Sequence, residues 1–252
     1  MTWRVVAATA AGTSHVERGE ACQDRYWAGV LATPEPVVSL WVADGAGSAV
    51  SGAEGAALAV AAAHGTVEER VAEGSIQLTG SFAAEILRRV RELIAFDAAT
   101  FDAPLRDYAT TLLGLVSVGQ STLVVQVGDG AVVVDCGEGL ELALHPPVFE
   151  YANATHFVTD DEAVDRLRCR VLNGRVLKAA LLSDGLQALA LDLASWTPYR
   201  PFFDPLFSVL LSVRVEQEAE LPNALGAFLN SPAVNDRTDD DKTLVLAVAV
   251  KD

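Results

Sequence analysis

The sequence predicts an α+β protein built as a layered sandwich in which sheets and helices share one core. Three observations carry that prediction. Several short β-branched runs are apolar on nearly every residue, as strands are when both of their faces are covered. Between them lie stretches with helical periodicity or high alanine content. Two of the runs are separated only by Gly119-Gln120-Ser121, a hairpin-length connection, so at least part of the sheet is antiparallel. A doubly wound parallel fold is disfavoured accordingly.

In chain order, strands are expected over 37–43, 110–118, 122–127, 131–136, 176–182 and 243–250, each bounded by turn residues. The alanine-rich stretch 53–64 reads as a helix. A second helix places Phe82, Ile86, Leu87, Val90, Leu93 and Ile94 on one face, opposite Arg88, Arg89, Arg91 and Glu92. Glu216, Glu218 and Glu220 read as a solvent face leading into a helix over 223–229. The segments 155–170 and 196–205 read as long surface loops or insertions. No internal repeat and no low-complexity linker interrupts the chain, so one domain is expected over residues 1–252.

The chain has 252 residues, a net charge of −16 and 51% hydrophobic residues. That apolar content is enough for a sizeable core and excludes a disordered chain. With a pI near 4.5, the protein would repel a phosphate backbone at long range, which argues against nucleic acid as a partner. Cys22, Cys136 and Cys169 are odd in number and form no C-x-x-C pair, so neither a disulfide framework nor a cysteine zinc site is read. The apolar run 5–11 is short for a signal peptide, and no apolar run nears the roughly 18 residues of a membrane span. A reduced, cytoplasmic setting is the expectation.

The informative feature is where a few aspartates fall. Asp44 follows the run 37–43, Asp184 follows 176–182, Asp240 precedes 243–250, and Asp129 stands in Gly128-Asp129-Gly130. Singly, each is an ordinary turn residue, since Asp-Gly is a common turn dipeptide. Together they place carboxylates at the lips of buried strands, and such a cluster repels itself unless cations bind it. Oxygen donors without Cys or His favour Mg²⁺ or Mn²⁺ over zinc. Two such ions bridged by one carboxylate activate a water and clamp a phosphoryl oxygen for in-line attack.

Other readings of these segments are weaker. The glycine-rich stretch 44–55 fits neither a P-loop nor a dinucleotide fingerprint. The acidic run 236–241 lacks the Gly and Glu of a calcium loop. Ser183 lacks the G-x-S-x-G turn of a serine hydrolase. His64, His145 and His156 are scattered without metal-ligand pairing. His15 is an outside candidate for a proton donor, although a histidine beside a serine is more often a structural hydrogen-bonding residue.

In order along the chain, Gln23-Asp24, Val42-Ala43-Asp44-Gly45-Ala46-Gly47-Ser48 with Gly52, Ala109-Thr110-Thr111-Leu112, Val127-Gly128-Asp129-Gly130, Leu182-Ser183-Asp184-Gly185-Leu186 and Asp240-Asp241-Lys242-Thr243 resemble the motifs of metal-dependent PP2C-type (PPM) serine/threonine phosphatases. The match spans roughly residues 12–250, and the opening Gly12-Thr13-Ser14-His15 through Cys22 looks most like the compact bacterial branch. The resemblance implies a four-layer α-β-β-α sandwich with two central antiparallel sheets and metals at one end. It implies that Asp44 bridges two Mn²⁺ or Mg²⁺ ions, that the Gly45 carbonyl binds one, and that Asp184 and Asp240 hold the other. Asp24 would orient the attacking water, and Asp129 with Asp184 would hold a third ion.

Three positions depart from the better-known pattern. Gln23 stands where many relatives have Glu, keeping an oxygen donor but losing a charge, so it is a weaker metal ligand. Gly19 stands where the family often places a phosphate-binding arginine; Arg18 is the nearest candidate for that role. Ala46 stands where eukaryotic members carry a histidine proposed as general acid.

The leading functional expectation is therefore a phosphatase acting on phosphoserine or phosphothreonine in proteins, working opposite a serine/threonine kinase as compact relatives commonly do. Its acidic surface would prefer neutral or basic substrate flanks. Two alternatives stay open: a PP2C-like regulator that binds a phosphorylated partner without hydrolysing it, and an N-terminal-nucleophile hydrolase using Thr2.

Overall fold

The structure is a computed structural model, and it describes residues 2–145 and 155–250. Its elements run β1 (Thr2–Ala10), α1 (Thr13–Arg18), β2 (Arg25–Leu31), β3 (Val37–Ala43), α2 (Gly52–Ala72), α3 (Gly80–Thr100), β4 (Leu112–Val118), β5 (Ser121–Val127), β6 (Ala131–Asp135), β7 (Leu140–Leu142), β8 (Arg168–Asn173), β9 (Lys178–Leu182), α4 (Gln187–Ala190), β10 (Leu191–Asp192), β11 (Thr197–Pro198), α5 (Arg200–Ser212), α6 (Leu221–Leu229), α7 (Pro232–Asn235) and β12 (Lys242–Val250). Two five-stranded antiparallel sheets, ordered β1-β12-β9-β6-β7 and β2-β3-β4-β5-β8, stack face to face.

The period-two alternation of each strand explains the layers. Val38, Leu40 and Val42 of β3 meet Val132, Leu181 and Val245 of the other sheet, forming an inner core between the sheets. Trp41 and Ala43, on the opposite face of β3, pack under α2 and α3 with Ile86, Leu87 and Val90. On the far side, Ala180 and Leu182 of β9 and Leu244 and Leu246 of β12 pack under α5 and α6 with Phe203, Phe207 and Leu229. Each sheet is covered on both faces, which is why its strands are apolar throughout. A fully buried Leu or Phe contributes roughly 1.5–3 kcal/mol, so three stacked cores hold the sheet ends firmly in register.

Two expectations change. Residues 196–205 are not a loop: α5 begins at Arg200, with Pro201 in its first turn, where the missing N–H costs nothing. Pro205 falls inside α5, and its ring faces outward on a helix otherwise held by Phe203, Phe207 and Leu210. Segment 155–170 is turns only as far as residue 167, after which β8 adds an edge to the second sheet through Leu123↔Val171. The N-terminal apolar run lies in β1 as far as Ala10, and β1 pairs along its whole length with β12. The three cysteines are free, as expected. Among the described residues no helix is long and apolar enough to cross a membrane.

Candidate metal centre

Strand register brings the sequence-distant aspartates to one end of the sandwich. Leu182 pairs with both Ala131 and Leu244, so the residues after β9, before β6 and before β12 share one rim. Arg25 pairs with Ala43, and Ala10 with Lys242, which adds the start of β2, the end of β3 and the end of β1. Asp44, Asp129, Asp184 and Asp240 consequently line one cleft of about 230 Å³, together with Gly45, Ala46 and His15.

Close backbone approach fixes the two Asp-Gly corners. A Cβ on Gly45 would lie 2.4 Å from the Gly52 carbonyl, and one on Gly185 would lie 2.1 Å from the Asp241 carbonyl oxygen. Only glycine fits either corner. The Asp44 backbone is braced by the Thr110-Thr111 pair: its N–H donates to Thr111 Oγ1 at 3.0 Å, and its carbonyl accepts from Thr110 Oγ1 at 2.9 Å. Asp129 is steadied by Thr155, whose hydroxyl donates to Asp129 Oδ2 at 2.6 Å, and by Gln187, whose amide donates to the Asp129 carbonyl.

Asp24 lies beneath the cleft, wholly buried. Its Oδ2 accepts from Ser183 Oγ at 2.7 Å, and Ser183 Oγ in turn accepts from the Thr243 N–H at 2.9 Å. Oδ1 of Asp24 and Oδ1 of Asp184 are buried without any N–H or O–H donor. Both side chains lie within hydrogen-bonding reach of the Asp44 carboxylate. Burial, reinforced by the charges of Asp24 and Asp184, pushes Asp44 up to about 11. Burial pushes Asp24 up to about 7 against the opposing donor of Ser183, and burial with the charges of Asp129 and Asp240 pushes Asp184 up to about 6. Carboxylates hold such spacing only with a proton or a cation between them.

The donors are all oxygen, a set suited to Mg²⁺ or Mn²⁺. Two buried oxygens short of donors, on Asp24 and Asp184, are of the kind a divalent ion would satisfy. Among the described residues, however, no group of three His, Cys, Asp or Glu side chains is placed to hold a metal ion. The carboxylates are gathered around the cleft rather than clenched on one point.

The remaining candidates divide. Gln23 stands behind the Asp44-Gly45 corner; in the orientation that satisfies its hydrogen bonds, its amide donates to the Gly45 carbonyl at 2.9 Å and to the Ala46 carbonyl at 3.0 Å. Arg18 is exposed at the end of α1, pairs with Glu20 at 2.7 Å and does not line the cleft. Gly19 caps that helix in a left-handed conformation (φ 71°), which explains glycine there. His15 is buried, its Nδ1 2.9 Å from Asp241 Oδ1 but without a hydrogen bond, and its ring reaches the cleft wall.

Two supporting residues escaped sequence reasoning. Asp241 accepts from the Gly12 N–H at 2.7 Å and the Gln23 N–H at 2.6 Å, tying three segments together. Ser183, set aside as a nucleophile, is the bridge between Asp24 and β12. The only sequence signal for either was adjacency to an aspartate that matters.

A sequence model of the protein phosphatase 2C family matches residues 11–230. Serine/threonine-protein phosphatase 3 of Escherichia coli (strain K12) is 45% identical over 250 residues, covering 98% of this chain and 99% of the relative. Among solved structures, the catalytic domain of the serine/threonine protein phosphatase PstP in complex with two manganese ions superposes with a TM-score of 0.61 at 17% identity, covering 99% of each chain. The phosphatase Stp1 from Staphylococcus aureus gives a TM-score of 0.59 at 13% identity over 99% of this chain and 96% of that one. The two stacked antiparallel sheets with helices outside them are thus the PP2C fold, and the chain belongs to the protein phosphatase 2C family as a serine/threonine protein phosphatase.

Proposed function

We propose that the cleft hydrolyses phosphoserine and phosphothreonine in proteins by direct attack of water, with divalent cations, two or three per chain, held by Asp44, the Gly45 carbonyl, Asp184, Asp240 and Asp129. One observation carries this reading: among the described residues, four aspartates line the cleft and no Lys or Arg does. A phosphate dianion has no attraction to such a surface until its charge is reversed. Bound Mn²⁺ or Mg²⁺ supplies that positive charge and makes water more acidic.

The chain's own residues then have separable tasks. Asp44, central to the cluster, faces Asp24 on one side and Asp184 on the other. Asp24, held by Ser183 through one oxygen and with the other unpartnered, is assigned to orient a water and take its proton; both contacts support the assignment. Thr110 and Thr111 hold Asp44 by its backbone and leave its carboxylate for the cleft. Ala46, on the cleft wall, has no proton to give, so the leaving alkoxide takes its proton from water or from another group at the cleft. Arg18, committed to Glu20 outside the cleft, is not assigned a role in holding phosphate.

The test is hydrolysis of a phenyl phosphate and of a phosphothreonine peptide by the purified protein with Mn²⁺. Asp184→Asn and EDTA should each abolish turnover. Activity surviving both would refute the reading.

A further inference from the structure

We propose that an apolar groove beside the catalytic cleft, between α4, α5 and α6, binds the segment of the phosphoprotein flanking its phosphorylated residue, and that it selects an apolar side chain next to a carboxylate. The proposal rests on the phosphatase reading above and adds a substrate class to it.

The groove has a volume of about 410 Å³, and its walls include Leu189, Pro205, Leu206, Val209 and Phe228, with Arg237 at one side. It exists because α5 is apolar on two faces. Phe203, Phe207 and Leu210 bury one face against the sheet. Pro201, Pro205 and Val209, spaced four residues apart, form a second stripe pointing outward, and Val209 is 54% exposed. Neighbouring Tyr199 is 51% exposed. A helix anchored by one face ordinarily carries polar residues on the other. A contiguous apolar patch in that position marks an interaction site.

Charge and position define the occupant. Among the described residues, Arg237 is the one cation lining the groove and makes no ion pair, in a chain of net charge −16. It is a local exception to the acidic surface and calls for a carboxylate. Both walls are rooted in the metal centre: Leu189 follows Asp184 by five residues, largely helical, and Arg237 precedes Asp240 by three. Three residues reach at most about 11 Å, and five helical residues rise about 7.5 Å. An extended peptide advances about 3.3 Å per residue, so a segment with its phosphoryl group in the cleft arrives at the groove roughly three to five residues later. Nine residues line the groove, against about 20–30 on each side of a stable dimer. That size suits a short peptide better than a second copy of the chain.

The experiment compares phosphothreonine peptides carrying Leu-Glu, Leu-Lys or Ala-Ala four residues to either side of the phosphothreonine, with phenyl phosphate as a reference that cannot reach the groove. The quantity read is kcat/KM for each peptide divided by that for phenyl phosphate. For the wild type, one Leu-Glu peptide should exceed Ala-Ala about tenfold, and Val209→Asp should erase that preference. Arg237→Glu should invert the Leu-Glu against Leu-Lys preference, a rescue that misfolding cannot mimic. Equal ratios for all peptides, or a preference untouched by both variants, would overturn the proposal. So would sedimentation showing a dimer that Val209→Asp dissociates while the peptide ratios stay fixed. Failure of the wild type with Mn²⁺ to hydrolyse phenyl phosphate at all would instead overturn the catalytic reading, and the two failures are distinct.

Discussion

Ser183→Ala removes a single oxygen, and its effect follows from two contacts. Ser183 is 1% exposed, donates to Asp24 Oδ2 at 2.7 Å and accepts from the Thr243 N–H at 2.9 Å. Alanine takes the 2.7 Å donor from Asp24 Oδ2, leaving only Thr243 and Asp44 within reach of that carboxylate, and leaves a strand N–H without its acceptor. A hydrogen bond to a charged group contributes about 1.5–3 kcal/mol, and an orphaned buried neutral group costs about 1–3 kcal/mol. A water admitted to the space left behind recovers part of this, so the expected loss is about 2–4 kcal/mol. With a urea slope of about 2–3 kcal/mol/M, the midpoint should fall by roughly 1 M. The assay is urea unfolding followed by tryptophan fluorescence, with Mn²⁺ and with EDTA, in the wild-type and Asp24→Asn backgrounds. In Asp24→Asn the cost should shrink by at least about 1 kcal/mol, because the acceptor is no longer charged. A loss under about 0.5 kcal/mol with and without Mn²⁺ would refute the bridging role of Ser183.

Three other outcomes are expected. Asp24, Asp184 and Asp44 have folded-state values raised to about 7, about 6 and about 11, so without metal the folded form binds more protons than the unfolded form from about pH 4 up to about 11. Stability of the metal-free protein should therefore fall as pH rises through that window, and Mn²⁺ should raise the melting temperature more at pH 8 than at pH 5, as calorimetry will show. Gly185→Ala puts a Cβ 2.1 Å from the Asp241 carbonyl oxygen, which must displace the 240–241 loop; isothermal titration should show at least tenfold weaker Mn²⁺ binding. Gln23→Glu turns an amide that satisfies two carbonyls into an anion facing them, so it should destabilise the metal-free protein and tighten Mn²⁺ binding, measured by the same titration.

The strands that sequence reasoning recovered, β3, β4, β5, β6, β9 and β12, are those buried on both faces, where continuous apolarity leaves no ambiguity. Those it missed sit at sheet edges. Trp27 and Tyr26 of β2 are partly exposed, and β8 alternates Arg168, Cys169 and Arg170, so neither carries a buried-strand signature. Helix α5 was hidden by Pro201 and Pro205, which local rules read as loop punctuation, yet packing of Phe203 and Phe207 overrides them. The candidate ligands were legible because each sits at a strand end, a local property. Their supports were not: Ser183 to Asp24 spans 159 residues and Gly12 to Asp241 spans 229, distances over which no spacing rule operates.

The buried and half-buried aspartates sort by how completely their oxygens are satisfied, and that sorting separates scaffold from chemistry. Asp135 accepts from the Gly137 and Gly139 N–H groups and pairs with Lys178 at 3.3 Å; although burial opposes it, these partners hold its carboxyl below the usual range. Asp241 has a backbone donor on each oxygen. Both are charges already neutralised by the fold, and neither has reason to seek a cation. Asp24 and Asp184 each keep a buried oxygen without a donor, and Asp44 faces them both. The chain spends ample N–H groups on acids a few residues away and withholds them here. A fold that can satisfy Asp241, next in sequence to Asp240, does not lack donors at this end. The shortage at Asp24, Asp44 and Asp184 is therefore a property of the site, and it is the shortage that the proposed divalent ions would make good.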